Sequence, residues 1–343
     1  MSRSARLLRY VLARLALAPV MLWLLATLVF LLLRLAPGDP VDALLGTRAP
    51  AAARAALRAQ LGLDQPLLGQ YSGFLIKLLK GDLGLTLTNQ QPVTEVIGQT
   101  LPASLELGAV ALVLAAVVGL AVGFSGIARA EGRLDLAARL YGIGTYALPS
   151  FWLAMVAQLV FAVWLGWLPV GGRFPPTLLP PAGSGFYLFD SLREGVLSGQ
   201  WQALAGTLRH LVLPASTLAV LLSGIFANAL RLNLRRAMAS DYVEAARCRG
   251  LSERRLIVRH ALPNALLPVL TISGITVASL IGGALLIEVT FSWPGVAARL
   301  QEAIAQRDYP LVQGIVLVVA ALVVAVTVTV DVLVALLDPR LEF

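Results

Sequence analysis

Residues 15–33 read LALAPVMLWLLATLVFLLL, a run of 19 residues without a charge, closed by Arg14 on one side and Arg34 on the other. A bilayer core of about 30 Å needs about 20 apolar residues at the helical rise of about 1.5 Å, so this stretch is long enough to cross. It exceeds the 7–15 apolar residues usual in the core of a signal peptide, and no small-residue cleavage site follows residues 34–37, so it reads as a retained helix. Five further uncharged runs follow, at 107–128, 140–172, 211–230, 261–287 and 310–330. The expected fold is therefore all-α and polytopic, with six transmembrane helices.

The whole composition agrees with that pattern. Of 343 residues 58% are hydrophobic and 13% charged, with a mean hydropathy of +0.81, where water-soluble domains carry about 25% charge. The net charge of +8 does not form a solvated basic face, so a nucleic-acid partner is excluded. Lys77 and Lys80 are the only lysines; the arginines crowd at the ends of apolar runs, where they set topology. Arg3, Arg6, Arg9 and Arg14 precede the first run without an acid, which puts the N-terminus in the cytoplasm, and six crossings return the C-terminus there. Residues 231–260 then lie inside, with eight arginines against three acids, while 37–101 lies outside and is balanced at five against five. The loop 129–139 is the weak member at net +1.

The external segment after the first run is too long for a plain connection and predicts a small folded cap. Residues 51–61 read as a helix, Asp64-Gln65-Pro66 as the start of another, and 71–80, with Lys77 and Lys80 on one side and Gly81 as its stop, as a helix lying in the interface. The expected division is residues 1–36 for the N-terminal end and first crossing, 37–101 for the cap, and 102–343 for a core of five crossings. Residues 182–202 read as a variable external loop. Glu106, Glu288, Asp331 and Arg34 sit at span boundaries, where interfacial capping is cheap. Among them Glu288, before the Trp293-Pro294-Gly295 turn, is the best candidate for gating or substrate contact, and Pro149-Ser150-Phe151 is expected to break the third run, with Ser150 near the pathway.

With Cys248 the single cysteine and His210 and His260 the only histidines, disulfide, metal and triad chemistry lack their residues. Cys248 is expected on the hidden face of its helix. No lysine follows a glycine, so a phosphate-binding Gly-Lys-Ser/Thr loop is absent and the chain is not expected to be an enzyme.

The strongest local signal is Asp241-Tyr-Val-Glu-Ala-Ala-Arg-Cys-Arg-Gly250, continued by Leu251-Ser-Glu-Arg-Arg-Leu-Ile-Val-Arg-His260 and Ala261-Leu262-Pro263. It predicts helix, turn, helix: Asp241 as N-cap with Glu244 as its reciprocal partner, Gly250 at the position needing positive φ, and Ser252 capping the next helix. Ala245 and Ala246 leave a smooth face able to enter a groove on another protein. The plain alternative is an ordinary internal loop, which alone explains the arginines.

Glu244-Ala245-Ala246, Gly250 and Leu262-Pro263 at this spacing resemble the EAA loop of ABC importer permeases. His260 replaces the usual aliphatic residue, and Arg259-His-Ala-Leu-Pro-Asn-Ala265 is similar to the dipeptide, oligopeptide and nickel branch. Leu33-Arg-Leu-Ala-Pro-Gly-Asp-Pro40, Leu61-Gly-Leu-Asp-Gln-Pro66, Lys80-Gly-Asp-Leu-Gly84, Leu101-Pro-Ala-Ser-Leu-Glu-Leu107, Glu288-Val-Thr-Phe-Ser-Trp-Pro-Gly295 and Leu337-Asp-Pro-Arg340 also resemble that branch. The resemblance implies a B-type subunit with the type I importer permease fold in a bacterial inner membrane. It also implies a homologous second permease, two ATP-binding subunits and an extracytoplasmic substrate-binding protein, with di- or oligopeptide cargo and no cofactor. Loop 240–263 would be the element seated on an ATPase, through Asp241, Glu244, Ala245, Ala246, Gly250, Leu262 and Pro263. The rival is an ion-gradient-driven secondary transporter, opposed by the scarcity of mid-membrane carboxylates and of visible repeats.

Overall fold

The computed structural model describes residues 3–35, 40–46, 49–60, 62–128 and 132–337. Residues 36–39 of the 33–40 signature, 338–340 of the 337–340 one, and the loop charges Arg48, Arg129 and Glu131 lie outside these. The helices are α1 (Arg3–Leu35), α2 (Pro40–Leu45), α3 (Ala51–Gln60), α4 (Leu67–Leu79), α5 (Val93–Ala128), α6 (Arg133–Ala147), α7 (Ser150–Ala157), α8 (Tyr187–Ser198), α9 (Gln202–Met238), α10 (Asp241–Cys248), α11 (Glu253–Arg255), α12 (Leu262–Thr290), α13 (Val296–Ala305) and α14 (Tyr309–Leu337). A single antiparallel bridge, Leu85 to Pro92, is the only β pairing among the described residues.

Five helical stretches are long and apolar enough to cross a membrane, and a sixth if α6 and the helix after it count as one crossing. That pair breaks the third run at the expected Pro149-Ser150-Phe151: residues 140–172 do not form one straight helix. The chain bends by 102° between Ala147 and Ser150, and the second arm passes into a π-helical stretch, Gln158–Trp164. The cause is Pro149, which sits at the N-cap of α7 and forces Leu148 into extended backbone.

The innermost span is α9, with 67% of its most apolar window buried inside the chain, compared with 11% for α14. It packs most extensively against α5, and glycine sets the distance. A Cβ on Gly119 would overlap the Ser223 carbonyl oxygen, and one on Gly123 would lie 2.7 Å from the carbonyl oxygen of Ala227. Small residues at this period let two backbones touch, the usual way of joining helices where lipid removes the hydrophobic drive. Gly224 of α9 faces Thr145 of α6 in the same manner.

Buried charge fastens the ends. Asp135, 2% exposed, accepts hydrogen bonds from Arg139, from Arg231 at 3.0 Å and from Arg235 at 2.9 Å, which ties α6 to the last turns of α9. At the opposite end, Arg173 donates to Glu106 of α5 at 2.8 Å and to the Gly185 carbonyl at 2.7 Å, and lies 3.8 Å from the centre of the Tyr187 ring. Residues 182–202 are thereby anchored to the helical core rather than free: Asp190 caps the loop, accepting from Ser184 and Gly185, and α8 packs on α9.

Gly119→Ala should therefore lower stability by about 1–3 kcal/mol through overpacking. Gly98→Ala, where a Cβ meets nothing within 4 Å, should be neutral or stabilising. Thermal unfolding of the two variants in detergent distinguishes close approach from a general helix effect.

Candidate functional site

The motif 241–263 forms a short helix held between two spans. Ser240, not Asp241, takes the N-cap position; its backbone carbonyl accepts from Val243 and Glu244, and its hydroxyl turns back to the Ala237 carbonyl. Asp241 becomes the first helical residue, where its carboxylate still favours the helix dipole. Gly250 adopts φ +76°, and the bonds from its N–H to the Arg247 carbonyl and from Leu251 to Ala246 close the helix. Ser252 occupies the next N-cap through its backbone carbonyl, without a side-chain cap. From Glu253 the chain runs helically through a π-helical stretch, Leu256–Ala261, into α12.

Burial splits α10 into two faces. Val243, at 0% exposure, and Ala246 join Leu234, Leu256 and Ala261 in one apolar cluster. Asp241, Glu244, Ala245 and Gly250 face outward, Leu262 is half-buried and Pro263 exposed. Cys248 is exposed too, which corrects its expected place on the hidden face. Arg247 spans the turn, donating to Glu244 at 2.5 Å and to Glu253 at 2.9 Å, so exposed ion pairs link α10 to the helix that follows. Tyr242 adds a tie by accepting from Asn264 at 3.1 Å. Arg249, Arg254, Arg255 and Arg259 point outward around this small, flat face.

Glu288 lies near the other end of α12 and is fully buried. One carboxylate oxygen accepts from the Ser104 hydroxyl at 2.6 Å, and the other from the Ala298 N–H at 2.9 Å in the first turn of α13. Ser104 in turn accepts from the Val296 N–H at 2.8 Å, and the Trp293 indole donates to the Ala103 carbonyl at 3.0 Å. A side chain at Gly295 would overlap the Glu288 carboxylate, so the Trp-Pro-Gly turn ends on the residue this approach requires. Beside these contacts a cavity of about 250 Å³ opens between α5, α12 and α14, walled by aliphatic side chains such as Leu105, Leu112, Leu280 and Leu322. Ser150 begins α7 at the 102° bend; α7 packs on α12, but no hydrogen bond joins Ser150 to Glu288 among the described residues.

Ser104, Arg173 and Asp135 were not singled out by sequence. Ser104 stood inside the 101–107 signature without a role, Arg173 is the single charge of its Gly- and Pro-rich segment, and Asp135 looked like one acid of a weakly charged loop. Their importance is in their partners, which are distant in sequence.

Two family descriptions match the chain. The binding-protein-dependent transport system inner membrane component matches residues 112–343, and the N-terminal part of such membrane components matches 7–108. A dipeptide transport system permease protein of Alkalihalophilus pseudofirmus is 35% identical over 98% of this chain and its own full length. A di/tripeptide transport system permease protein of Pseudomonas aeruginosa is 38% identical over 92% of this chain and 93% of its own. A probable D,D-dipeptide transport system permease protein of Escherichia coli is 38% identical over 91% of each. Among solved structures, an amino acid ABC transporter crystallised with histidines matches 72% of this chain and 95% of its own, at 17% identity and a TM-score of 0.46. With both halves matched and full-length relatives above 30% identity, the chain belongs to the family of binding-protein-dependent transport system inner membrane components, the multi-pass permease subunits of ABC importers.

Proposed function

We propose that this chain is the B-type permease of a di- or oligopeptide importer and that α10 is the element through which an ATP-binding subunit drives it. One observation carries this reading: α10 is a short helix with one apolar face buried against the flanking helices and the other exposed. Its hidden face is held in the apolar cluster, its outer face presents Glu244 and Ala245, and Arg247 pairs with Glu253 at the start of the next helix. Force applied at α10 therefore moves α9 and α12 rather than bending a loop. The names of the relatives support peptide cargo.

The proposed assembly adds a homologous second permease, two ATP-binding subunits and a substrate-binding protein outside. In this reading both termini and loop 240–263 are cytoplasmic and residues 37–101 form the outer cap that helps receive the binding protein. An ion-gradient carrier is not favoured, given the family. Glu288 is assigned to the outer gate: its carboxylate joins α12 to α5 and α13, and release of those bonds would let α12 tilt away from the cavity beneath.

Charge reversal in Glu244→Lys, or a bulky Ala245→Trp, should cost docking about 2–5 kcal/mol. Pull-down of the tagged chain should then lose the ATP-binding subunits while keeping the second permease, and ATP-driven peptide uptake should fall more than about tenfold. Full recovery of the ATPases with undiminished uptake overturns the docking role.

For Glu288→Ala the expected result is uncoupling, with ATP hydrolysis in the absence of binding protein raised and uptake lowered. Assayed in proteoliposomes, a parallel fall of both activities together with the melting temperature would mark Glu288 as purely structural.

A further inference from the structure

The end of α1, the interfacial helix α4 and the start of α14 enclose a second cleft, of about 400 Å³, away from the cavity below Glu288. Two of the residues lining it carry a donor that finds no acceptor. Arg34 Nη1 and Gln313 Nε2 are both buried without a hydrogen-bond partner, and Gln313 is 7% exposed. A buried donor left unsatisfied costs about 1–3 kcal/mol, and more when it is charged, so two of them on different helices meeting in one cleft point to an absent acceptor.

The arginine is preorganised for it. Its Nε donates to Gln70 Oε1 at 3.3 Å, and Gln70 is itself held by its donations to the Leu63 and Gln65 carbonyls. The guanidinium lies 4.2 Å from the centre of the Phe30 ring, which packs on Tyr71 and Phe74 of α4. Lys77 adds a second positive charge to the wall. Asp82 is the one acid there, and its Oδ1 already accepts from the Gly84 N–H at 2.8 Å. The balance is one net positive charge, the complement of a phosphodiester monoanion, whose oxygens suit the planar fork of an arginine.

The place selects the source of that anion. Arg34 closes the apolar run 15–33, so the cleft is level with the headgroup zone. Beside it α4 buries none of its residues and leaves Leu68 80% and Leu79 87% exposed, as a helix lying on a bilayer does. Phe74, Leu78 and Leu317 supply an apolar wall that suits the glycerol ester and first methylenes of an acyl chain.

We propose that this cleft binds the phosphate of a phospholipid headgroup, with Arg34 and Gln313 as the buried donors and Lys77 as the accessory charge. A lipid bound there pins α1 and α4 to α14. The assignment does not depend on the role of α10 or on the cargo.

The test uses the full chain with its partner subunits in mild detergent, with phospholipid retention read by native mass spectrometry and stability by thermal unfolding. The native chain should retain a phospholipid that Arg34→Gln and Lys77→Gln lose. Gly73→Met keeps every charge but fills the cleft, since a Cβ at Gly73 meets nothing within 4 Å, and it should lose the lipid equally. After delipidation, phosphatidylglycerol should raise the melting temperature of the native chain and leave Gly73→Met unmoved. Gln313→Leu should be more stable than the native chain when delipidated and gain less from lipid, a crossing of sign that a structural glutamine does not give. Equal retention by all variants overturns the proposal. So does equal stabilisation by inorganic phosphate at matched concentration, which would make the cleft a site for free anions.

Discussion

Charge that cannot reach water governs this molecule. Inside or beside a bilayer a carboxylate must find its donors in the protein, because an unpaired buried charge costs several kcal/mol. Asp190 is met locally by Ser184 and Gly185, but four other buried acids meet that demand by recruiting a segment far away in sequence. Asp135 recruits α9, Glu106 recruits Arg173 and the 185–188 turn, and Glu288 recruits Ser104 and the first turn of α13. Asp308 takes the backbone N–H of Leu87 at 2.8 Å, docking the bridged segment 85–92 at the start of α14. The apolar faces supply general cohesion, but these acids specify which ends meet.

The same constraint gives the span α12 its character. At about 1.5 Å per residue its 29 residues extend about 44 Å, with Leu262 and Pro263 of the 241–263 motif at one end and Glu288 near the other. At the first end the continuous helix from Glu253 is bound to α10 through Arg247; at the second its carboxylate bridges α5 and α13. A single helix thus joins the exposed face of α10 to the Glu288 contacts beside the apolar cavity. Motion of such an element as a unit needs no relay of side chains, and Pro268 and the π-helical stretch 256–261 are the points where it would bend instead.

The legible part of the fold was what one-dimensional pattern controls. Uncharged runs marked the long helices, the positive-φ glycine at 250 marked the end of α10, and the EAA spacing marked the family. What escaped depended on geometry between segments. Asp241 read as the cap of α10 because its side chain suits that position, yet Ser240 holds it since α9 ends at Met238 and its last turn bonds Ser240 directly. The break in the run 140–172 was legible from Pro149, but its angle of 102° and the π-helical stretch beyond it were not, since both depend on packing between segments. Arg173 and Ser104 gave no signal because a lone arginine or serine acquires meaning only from its partner.

The cavity beneath Glu288 also bears on where cargo is chosen. A peptide carries an ammonium and a carboxylate, and moving either away from water requires compensating polar groups. The cavity wall offers Ser104 and Glu288, and both are already engaged, the serine with Glu288 and Val296, the carboxylate with Ser104 and Ala298. The remaining wall is aliphatic, with Leu, Val, Ala and Gly side chains that tolerate many shapes and recognise none. Under the proposed peptide cargo, such a wall would offer a charged peptide terminus no partner, and selection of one peptide over another would then fall outside this cavity.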